Sequence, residues 1–321
     1  MRAIEYTEYG PPAEVLRLID APTPEPGTGE VRLRVHAASV NAIDWRILLG
    51  TPWFARLMAG GLRRPTMTRP GFDVAGVVEA VGAGSRFRVG DAVFGTCRGA
   101  FAEQAIAKDD GLVLKPASVS FANAAAVPLA ATTALQGLRD HGQLRAGQNV
   151  LVDGASGGVG TFAVQIAKAL GARVTAVCST GNVATARALG ADHVVDYTRD
   201  DFSRDTRRYD LVFAANAHCP IGTYRRVLRP HGRYVMAGGG MVQIAQAMVL
   251  GPLLSRLGRP SALFMARMTL PDLETLAGML ASGALTPVID RHYPLEATAE
   301  AMAYAAAGHA KGKVVIDVAS G

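Results

Sequence analysis

The stretch Val150–Gly160, which reads VLVDGASGGVG, decides the fold of this chain. An apolar, β-branched segment runs into small residues and glycines, and the next ten residues, TFAVQIAKAL, have helical spacing before Gly171. A strand, a glycine turn and a helix in this order predict a dinucleotide-binding unit, because glycines let the backbone approach a pyrophosphate and the helix dipole holds its charge. A second strand at Ala172–Cys178 favours this interpretation over an ordinary turn between strand and helix.

Length and composition predict two domains of ordinary size with packed cores. The 321 residues are 49% hydrophobic and 19% charged. The net charge of +6 would suit a polyanionic partner, but the basic residues do not cluster and lack interleaved aromatic residues. We therefore expect a small-molecule substrate and no nucleic acid.

Cysteine usage and hydropathy give expectations about location. Three cysteines without the spacing of a disulfide framework or a cysteine-rich zinc site predict a reducing compartment, so we expect a cytoplasmic protein. The charged N-terminus does not read as a signal peptide. The apolar stretch Met241–Leu257 is interrupted by polar residues and a Gly-Pro pair, so no membrane span is expected.

The hydrophobic periodicity changes along the chain. Up to about residue 120 it alternates, as in Glu30–Ala37, and is punctuated by glycine and proline, which predicts a small barrel or sandwich. Helical spacing at Phe121–Arg139 then introduces strands alternating with helices, which predict a parallel sheet with right-handed crossovers. The tail returns to a mixed pattern of helices and strands, including the strand Val314–Val318.

This arrangement resembles the medium-chain dehydrogenase/reductase superfamily over nearly the whole chain. Four motifs carry the resemblance, in the expected order: GFDVAGVV at 71–78, VGDAV at 89–93, PLAATTAL at 128–135 and HAKGKVV at 309–315. The resemblance implies an α/β fold in which a doubly wound Rossmann sheet is inserted in a β-rich GroES-like barrel domain. The implied boundaries are 1–123 and 265–321 for the GroES-like domain and 124–264 for the Rossmann domain.

The positions aligned with the superfamily's catalytic zinc ligands carry Asn41, Phe72 and Leu129, none of which is a standard zinc ligand. We therefore expect no metal, and the chain most resembles the zinc-independent quinone oxidoreductase and enone reductase branch. There the segment Ser39–Asp44 looks like the branch's Asn-x-x-Asp segment. The branch lacks a Lewis acid, which suits reduction of acceptors that are already electron-poor.

Two catalytic residues follow from this resemblance. Asn41 is expected to donate an amide N–H to the substrate oxygen or the nicotinamide ribose, the alternative being a turn residue bonded to nearby backbone. Thr133 resembles the threonine that faces the nicotinamide ribose, the alternative being an ordinary buried hydroxyl. Asp44 is expected mainly to cap a helix. No general acid is evident, and a protonating water is the expected source of the last proton.

The end of the second strand of the dinucleotide unit carries Ser179 and Thr180 and no carboxylate, which favours NADPH, with NADH as the alternative. The usual neighbouring cation is replaced by Gly181, and Tyr197 resembles a tyrosine that packs near the phosphate. The resemblance assigns cofactor contacts to Ser156, Gly157, Gly158, Val159, Gly160, Ser179, Thr180, Tyr197, Asn216, Gly238 and Lys313.

The segment after the fourth strand of this unit departs from the family's Asp-x-x-Gly pattern and carries Asn216, His218 and Cys219. An unperturbed histidine has a pKa near neutrality, so His218 is a candidate proton donor. The alternative is a solvated loop histidine without a catalytic role. Cys219 has no adjacent basic residue and is expected to be an inert thiol.

The expected substrate pocket is apolar and includes Trp53, Phe72 and Leu129. Two further segments are unusually apolar, Trp53–Met58 and Met241–Leu257. The functional alternatives for them are an acceptor site, a lid and the interface of a homodimer, and burial in the core is the structural alternative. A homodimer is expected.

Three functions stay open at this point. The first is an NADPH-dependent, zinc-independent reductase of hydrophobic quinones or α,β-unsaturated carbonyls. The second is a dinucleotide-binding regulatory or interaction protein that has lost catalysis, and the third is an alcohol dehydrogenase.

Overall fold

The computed structural model describes residues 1–51, 55–58 and 60–319. The chain divides into two compact units. The first contains Met1–Leu129, Met268–Ser282 and the segment from Ile289 onward, and the second contains Ala130–Arg267 and Gly283–Val288.

The elements of the first 129 residues belong to the first unit. In chain order they are β1 (Arg2–Glu5), α1 (Pro12–Val15), β2 (Arg17–Asp20), β3 (Glu30–Val40), α2 (Ala42–Leu49), α3 (Ala55–Met58), β4 (Asp73–Val81), β5 (Ala92–Thr96), β6 (Gln104–Lys108), β7 (Leu112–Leu114) and α4 (Phe121–Ala125).

The helix α5 crosses the boundary between the units, and the elements from β8 to β13 belong to the second unit. This part of the chain contains α5 (Pro128–Gln136), β8 (Asn149–Asp153), α6 (Gly158–Ala169), β9 (Arg173–Cys178), α7 (Val183–Ala188), β10 (His193–Asp196), β11 (Tyr209–Ala214), α8 (Ile221–Arg226), β12 (Leu228–Met236), α9 (Met241–Arg256) and β13 (Ser261–Leu263). The first unit resumes with α10 (Leu270–Ala281), β14 (Ile289–Pro294), α11 (Thr298–Ala306) and β15 (Lys313–Asp317).

The first unit is built on a β-sheet in the order β14-β15-β3-β4-β5-β7, with β6 also paired to β3. The alternation along β3 predicts a half-buried strand, and Val31, Leu33 and Val35 are fully buried in the core while intervening residues are not. The expected β-rich first part is thus confirmed.

The register of β3 determines which polar residues meet. Ser39 pairs with Asp73 of β4, and Val40 pairs with Val314 of β15. Because β3 lies between these two antiparallel neighbours, the ends that carry Asn41, Asp73 and Lys313 come together at one edge of the sheet.

The second unit contains a six-stranded parallel sheet in the order β10-β9-β8-β11-β12-β13. The predicted Rossmann architecture is confirmed. After β8 the chain proceeds outward through β9 and β10, then returns to the other side of β8 with β11. The strand order therefore reverses between β8 and β11, and ligands of such sheets bind at the carboxyl ends of the strands beside this reversal.

The helical pattern predicted over Phe121–Arg139 forms two helices and a π-helical turn rather than one helix. The side chain of Ser120 accepts a hydrogen bond from the backbone N–H of Asn123 and caps α4. A new helix, α5, then begins at Pro128, whose fixed φ suits the first helical position. Residues 137–141 form the π-helical turn.

The short segment 283–288 joins the second unit through a polar pair. Gln165, on α6 and largely buried, donates from Nε2 to the carbonyl of Thr286 at 3.0 Å and accepts at Oε1 from the Thr286 N–H at 2.8 Å. A buried carboxamide needs such partners, so this segment completes the packing around α6.

The apolar stretch after residue 240 forms the single helix α9, which continues through Pro252. Several of its apolar side chains are exposed, among them Val242, Val249 and Leu253. Across the described ranges, no helix is both long and apolar enough to cross a bilayer.

Candidate functional site

The glycine loop after β8 has the tight geometry that its sequence predicts. Gly154 has a φ of +74°, which a residue with a side chain rarely adopts. A Cβ atom at Gly160 would lie 2.0 Å from the carbonyl oxygen of Gly154, so only glycine lets α6 approach the strand this closely. The chain thereby brings the N-terminus of α6, with its unpaired first-turn N–H groups, to the carboxyl edge of the sheet.

The predicted phosphate-binding residues lie in this loop and first turn. Ser156 and Gly157 precede the helix, with Gly157 as its N-cap, and Gly158, Val159 and Gly160 form its first turn. The N–H of Gly157 already donates to the carbonyl of Gly154 at 3.1 Å, so the N–H groups of the first turn are the donors left for an anion.

Two further predicted cofactor residues lie beside this loop. A Cβ atom at Gly154 would lie 3.0 Å from the Cβ atom of Asn216, which places the segment after β11 against the glycine turn. The N–H of Ala217 donates to the carbonyl of Gly238 at 2.8 Å, so the segment after β12 joins them. The loops that follow β8, β11 and β12 therefore lie together at one edge of the sheet.

The residues after β9 and β10 form a second polar group. Ser179 accepts at Oγ from the Nδ2 atom of Asn182 at 2.9 Å, and Thr180 donates from Oγ1 to Asp196 at 2.6 Å. The Thr198 hydroxyl contacts both Thr180, at 2.8 Å, and Asp196. Hydrogen bonds from Thr180 and Thr198 lower the pKa of Asp196, which keeps it a carboxylate. This carboxylate beside Thr180 was not among the predicted site residues.

A buried carboxylate connects the glycine loop to the segment after β11. Asp153, the last residue of β8, accepts at Oδ2 from the Tyr224 hydroxyl at 2.5 Å and lies 3.3 Å from the Nδ1 atom of His218. The Tyr224 oxygen accepts in turn from the backbone N–H groups of His218 and Cys219 at 3.1 and 3.2 Å. Neither Asp153 nor Tyr224 was singled out from the sequence.

This cluster changes the acid–base properties of its members. The hydrogen bond to Asp153 raises the pKa of His218. The negative charge of Asp153 and a hydrogen bond with the Asn216 backbone also raise it. Burial and the nearby Asp153 charge raise the pKa of Tyr224, so its hydroxyl stays a donor. Burial also raises the pKa of the Cys219 thiol, in agreement with the expectation of an inert thiol.

The first unit holds a separate buried polar network around Asn41. Its Nδ2 atom donates to Asp73 at 2.9 Å and to the Ser39 carbonyl at 3.4 Å, and its Oδ1 atom accepts from Lys313 Nζ at 2.5 Å. Asp73 also accepts from the Ser39 hydroxyl at 3.0 Å and from the N–H of Leu129 at 3.1 Å. Asn41, Asp73 and Lys313 are all buried.

The partners of this network bear on two predicted roles. Both amide hydrogens of Asn41 face protein acceptors, so donation to a substrate would require it to leave one of those bonds. Lys313 Nζ donates to Asn41 and the Val40 carbonyl and lies 3.6 Å from Asp73. Contact between Lys313 and a cofactor would therefore also require the loss of one of these protein hydrogen bonds. Burial raises the pKa of Asp73 and lowers that of Lys313, and their mutual attraction opposes both shifts.

The helix α2 begins at Ala42 with Asn41 as its N-cap, so Asp44 caps it from the third helical position and not, as expected, as the residue before a helix that starts near Trp45. Asp44 accepts at Oδ2 from the N–H of Asn41 at 2.7 Å. Burial raises its pKa to about 7. Phe72 lines a small cavity together with Asp44 and Tyr6.

The other predicted residues are placed as follows. Thr133 lies half-buried on the part of α5 that belongs to the second unit, Leu129 is half-buried, and Tyr197 is 53% exposed. Trp53 lies outside the described residues. Within the part of the chain that is described, no three His, Cys, Asp or Glu residues are grouped so that they could hold a metal ion.

Comparison with known proteins identifies relatives over the full length. Residues 27–117 match the family model for the alcohol dehydrogenase GroES-like domain, and residues 189–316 match a model described as zinc-binding dehydrogenase. A chloroplastic quinone-oxidoreductase homolog of Spinacia oleracea is 33% identical over 99% of this chain and 98% of its own length. A chloroplastic NADPH-dependent alkenal/one oxidoreductase of Arabidopsis thaliana is 31% identical over 98% of this chain and 79% of its own length.

A solved structure supports the same relationship. The quinone oxidoreductase from Coxiella burnetii superposes with a TM-score of 0.88 at 28% identity, covering 99% of both chains. The chain belongs to the medium-chain dehydrogenase/reductase superfamily, within its group of quinone oxidoreductases and enone reductases.

Proposed function

We propose that this protein is an NADPH-dependent, zinc-independent oxidoreductase that reduces hydrophobic quinones or α,β-unsaturated carbonyl compounds. The observation that carries the proposal is the glycine loop between β8 and α6, where a Cβ atom at Gly160 would lie 2.0 Å from the Gly154 carbonyl oxygen. The names of the spinach and Arabidopsis relatives support the acceptor class.

The residues present fit a nicotinamide dinucleotide. The first-turn N–H groups of Gly158, Val159 and Gly160 would hold the pyrophosphate, with Ser156 and Gly157 beside them. Asn216 and Gly238 would contribute from the adjoining loops, and Ser179, Thr180 and Tyr197 from the ends of β9 and β10. The NADPH-dependent Arabidopsis relative supports NADPH over NADH.

The polar network around Asp73 supports a reaction without zinc. Each oxygen that a cation would use there already accepts a hydrogen bond: Asp73 from Ser39, Asn41 and Leu129, and Asn41 from Lys313. The side chains of Phe72 and Leu129 offer no ligand atom. A divalent cation would have to displace Lys313 and leave several buried donors unpaired.

The chemistry then rests on an acceptor that is already electron-poor. When bound, the reduced nicotinamide supplies a hydride to the conjugated acceptor. The protein binds and orients the acceptor, and we propose that Phe72, Leu129 and Trp53 give it an apolar surface. We propose that Thr133 faces the reacting end, as does Asn41 once it exchanges one of its protein hydrogen bonds for the substrate. Water supplies the proton that completes the reduction.

Steady-state oxidation of NADPH and NADH with a panel of quinones, alkenals and enones tests the proposal. We expect turnover of conjugated acceptors, a higher kcat/KM with NADPH, and rates that a zinc chelator leaves unchanged. Cofactor binding without turnover of any acceptor would instead support a non-catalytic binding protein. Chelator-sensitive oxidation of simple alcohols would support an alcohol dehydrogenase.

We also propose a homodimer and a cytoplasmic location. The exposed apolar side chains of α9, including Val249, and the edge position of β13 in its sheet support a second copy at this face. Sedimentation of the wild type and of Val249→Lys tests it, with a shift to monomer expected in the variant. Three free cysteines support a reducing compartment, which microscopy of a tagged chain would check.

A further inference from the structure

The cluster formed by Asp153, His218 and Tyr224 lies where a doubly wound sheet binds ligands. Asp153 ends β8, and His218 follows β11 by four residues, so the two flank the reversal of strand order. The His218 ring centroid also lies 5.8 Å from that of Tyr197, which follows β10. Because β9 and β8 separate β10 from β11 in the sheet, these two rings reach toward each other across the carboxyl ends of the strands.

The orientation of His218 is determined by its buried partner. Its Nδ1 atom faces the Asp153 carboxylate at 3.3 Å, while 49% of the side chain is exposed. The exposed part borders a cavity of about 1230 Å³ that is also lined by Tyr197 and Thr198. The carboxylate at Nδ1 favours the protonated ring by raising the pKa of His218, and the exposed edge of that ring then presents positive charge to the cavity.

The groups around His218 come from several elements. Asp153 and Tyr224 face it from β8 and α8, Tyr197 faces it from the end of β10, and Cys219 adjoins it in the chain. On α9, Gln243 donates to its backbone carbonyl at 3.0 Å. Asp153 is the acidic residue among these groups, and its carboxylate is the one that faces the imidazole ring.

The cavity also contains arginines with nearby carboxylates. Arg199, Arg204 and Arg207 lie 3.8, 3.5 and 2.5 Å from Asp196, Asp201 and Asp205, respectively. Arg226 donates to the Thr223 hydroxyl at 3.3 Å. These exposed ion pairs contribute little to stability, because solvent screens them. His218 differs in being held by a carboxylate that is 1% exposed.

A phosphate at the adenosine ribose needs a cation, and Ser179, Thr180 and Gly181 at the end of β9 do not supply one. Gly181 has no side chain, and the Thr180 hydroxyl already donates to the Asp196 carboxylate, whose charge repels a phosphate. We propose that His218 is the specificity-determining residue that binds the ribose 2′-phosphate of NADPH as an imidazolium. The proposal rests on the proposed dinucleotide cofactor.

Direct binding of NADPH and NADH to the full chain tests this inference, by calorimetry or cofactor fluorescence at pH 7 and pH 9. The 2′-phosphate, with a second pKa of about 6, becomes slightly more negative between pH 7 and pH 9, which by itself would strengthen NADPH binding, so a fall in the NADPH preference reports on the protein. We expect the ratio of NADPH to NADH affinity to fall with rising pH in the wild type. In His218→Gln at pH 7, NADPH affinity is expected to fall about tenfold and NADH affinity less than twofold.

Two variants make the result specific. His218→Lys keeps its charge at pH 9 and is expected to retain the NADPH preference there. His193→Gln removes a histidine from another wall of the same cavity and is expected to bind both dinucleotides like the wild type. Binding of 2′,5′-ADP should follow NADPH, whereas 5′-AMP should follow NADH.

The outcomes separate this inference from the proposed function. A wild type that binds neither dinucleotide overturns the proposed function. A wild type that binds both, with an unchanged NADPH preference in His218→Gln, overturns only the role of His218. Equal losses for NADPH and NADH in that variant assign His218 to a part shared by the two cofactors and also overturn the 2′-phosphate assignment.

Discussion

Lys313 donates from Nζ to the Oδ1 atom of Asn41 at 2.5 Å, across 272 residues of chain and inside the first unit. This bond joins the first residue after β3 to the first residue of β15. It also completes the network in which Asp73 accepts from Asn41 and Ser39. The network therefore fixes one edge of the sheet where the strands end.

Removing the amino group of Lys313 should destabilise the protein. Lys313→Met leaves Asn41 Oδ1 and Asp73 buried without their shared partner, and we expect a loss of about 3 kcal/mol in the free energy of unfolding. Urea denaturation followed by circular dichroism measures it. Lys311→Met, two residues away and exposed, is the matched control and should differ little from the wild type. Equal stability of Lys313→Met and the wild type would contradict a structural role for the network.

Asp44 should make stability depend on pH. Its pKa is about 7 in the folded protein against 3.8 for the ordinary group. Because the folded pKa is raised, the contribution of Asp44 is fully present below about pH 4 and is lost as the pH rises through about 7. Asn at this position still accepts from the Asn41 N–H and does not titrate.

The difference in unfolding free energy between the wild type and Asp44→Asn is therefore expected to favour the wild type more at pH 5 than at pH 8. Urea titrations at the two pH values measure it. Asp110→Asn, on an exposed turn, serves as the control. A difference that is the same at both pH values would show that Asp44 titrates alike in the folded and unfolded chains.

Gly160→Ala should damage both stability and dinucleotide binding. The new Cβ atom would lie 2.0 Å from the Gly154 oxygen and 2.7 Å from the Ala155 Cα, so backbone must shift. We expect a cost of about 1–3 kcal/mol in unfolding free energy and weaker binding of both NADPH and NADH. Gly222→Ala, on α8, meets nothing within 4 Å and should be neutral or stabilising. Wild-type affinity in Gly160→Ala would show that the loop tolerates a wider turn.

Tyr224→Phe should lower the free energy of unfolding by more than the loss of a tyrosine hydroxyl at a less buried position. The hydroxyl lies between buried Asp153 and the N–H groups of His218 and Cys219, so its removal leaves three polar groups without this partner. We expect a loss of about 1–3 kcal/mol in thermal or urea unfolding. The comparison is Tyr304→Phe, whose hydroxyl donates at 2.7 Å to a less buried carboxylate on Asp290. A loss as small as that of Tyr304→Phe would mean that water replaces the Tyr224 hydroxyl.

The sequence predicted those features that depend on neighbouring residues. The run from Gly154 to Gly160 predicts its turn because close approach and positive φ both require glycine within a few positions. The alternation along β3 predicts a strand for the same local reason. The helical pattern from Phe121 predicted helix correctly but did not predict that it is divided, because a new helix, α5, starts at Pro128.

Clusters formed by distant residues could not be predicted in this way. Asn41, Asp73 and Lys313 meet because β3 pairs with both β4 and β15, and neither pairing is encoded locally. Tyr224 lies 71 residues from Asp153, and nothing in its own segment distinguishes it from a core tyrosine. The signal available for Asp153 was a carboxylate at the end of a buried strand, immediately before the glycines.

The bonds between Gln165 and Thr286 bear on how the chain is synthesised. Every strand of the nucleotide-binding sheet has been synthesised once β13 emerges from the ribosome, yet the Oε1 atom of Gln165 still lacks its donor, the N–H of Thr286. The nascent second unit therefore lacks this contact until residues 283–288 are synthesised, which happens only after α10 of the other unit. A premature stop before Thr286 would consequently impair the nucleotide-binding half, although it lies upstream of the missing residues.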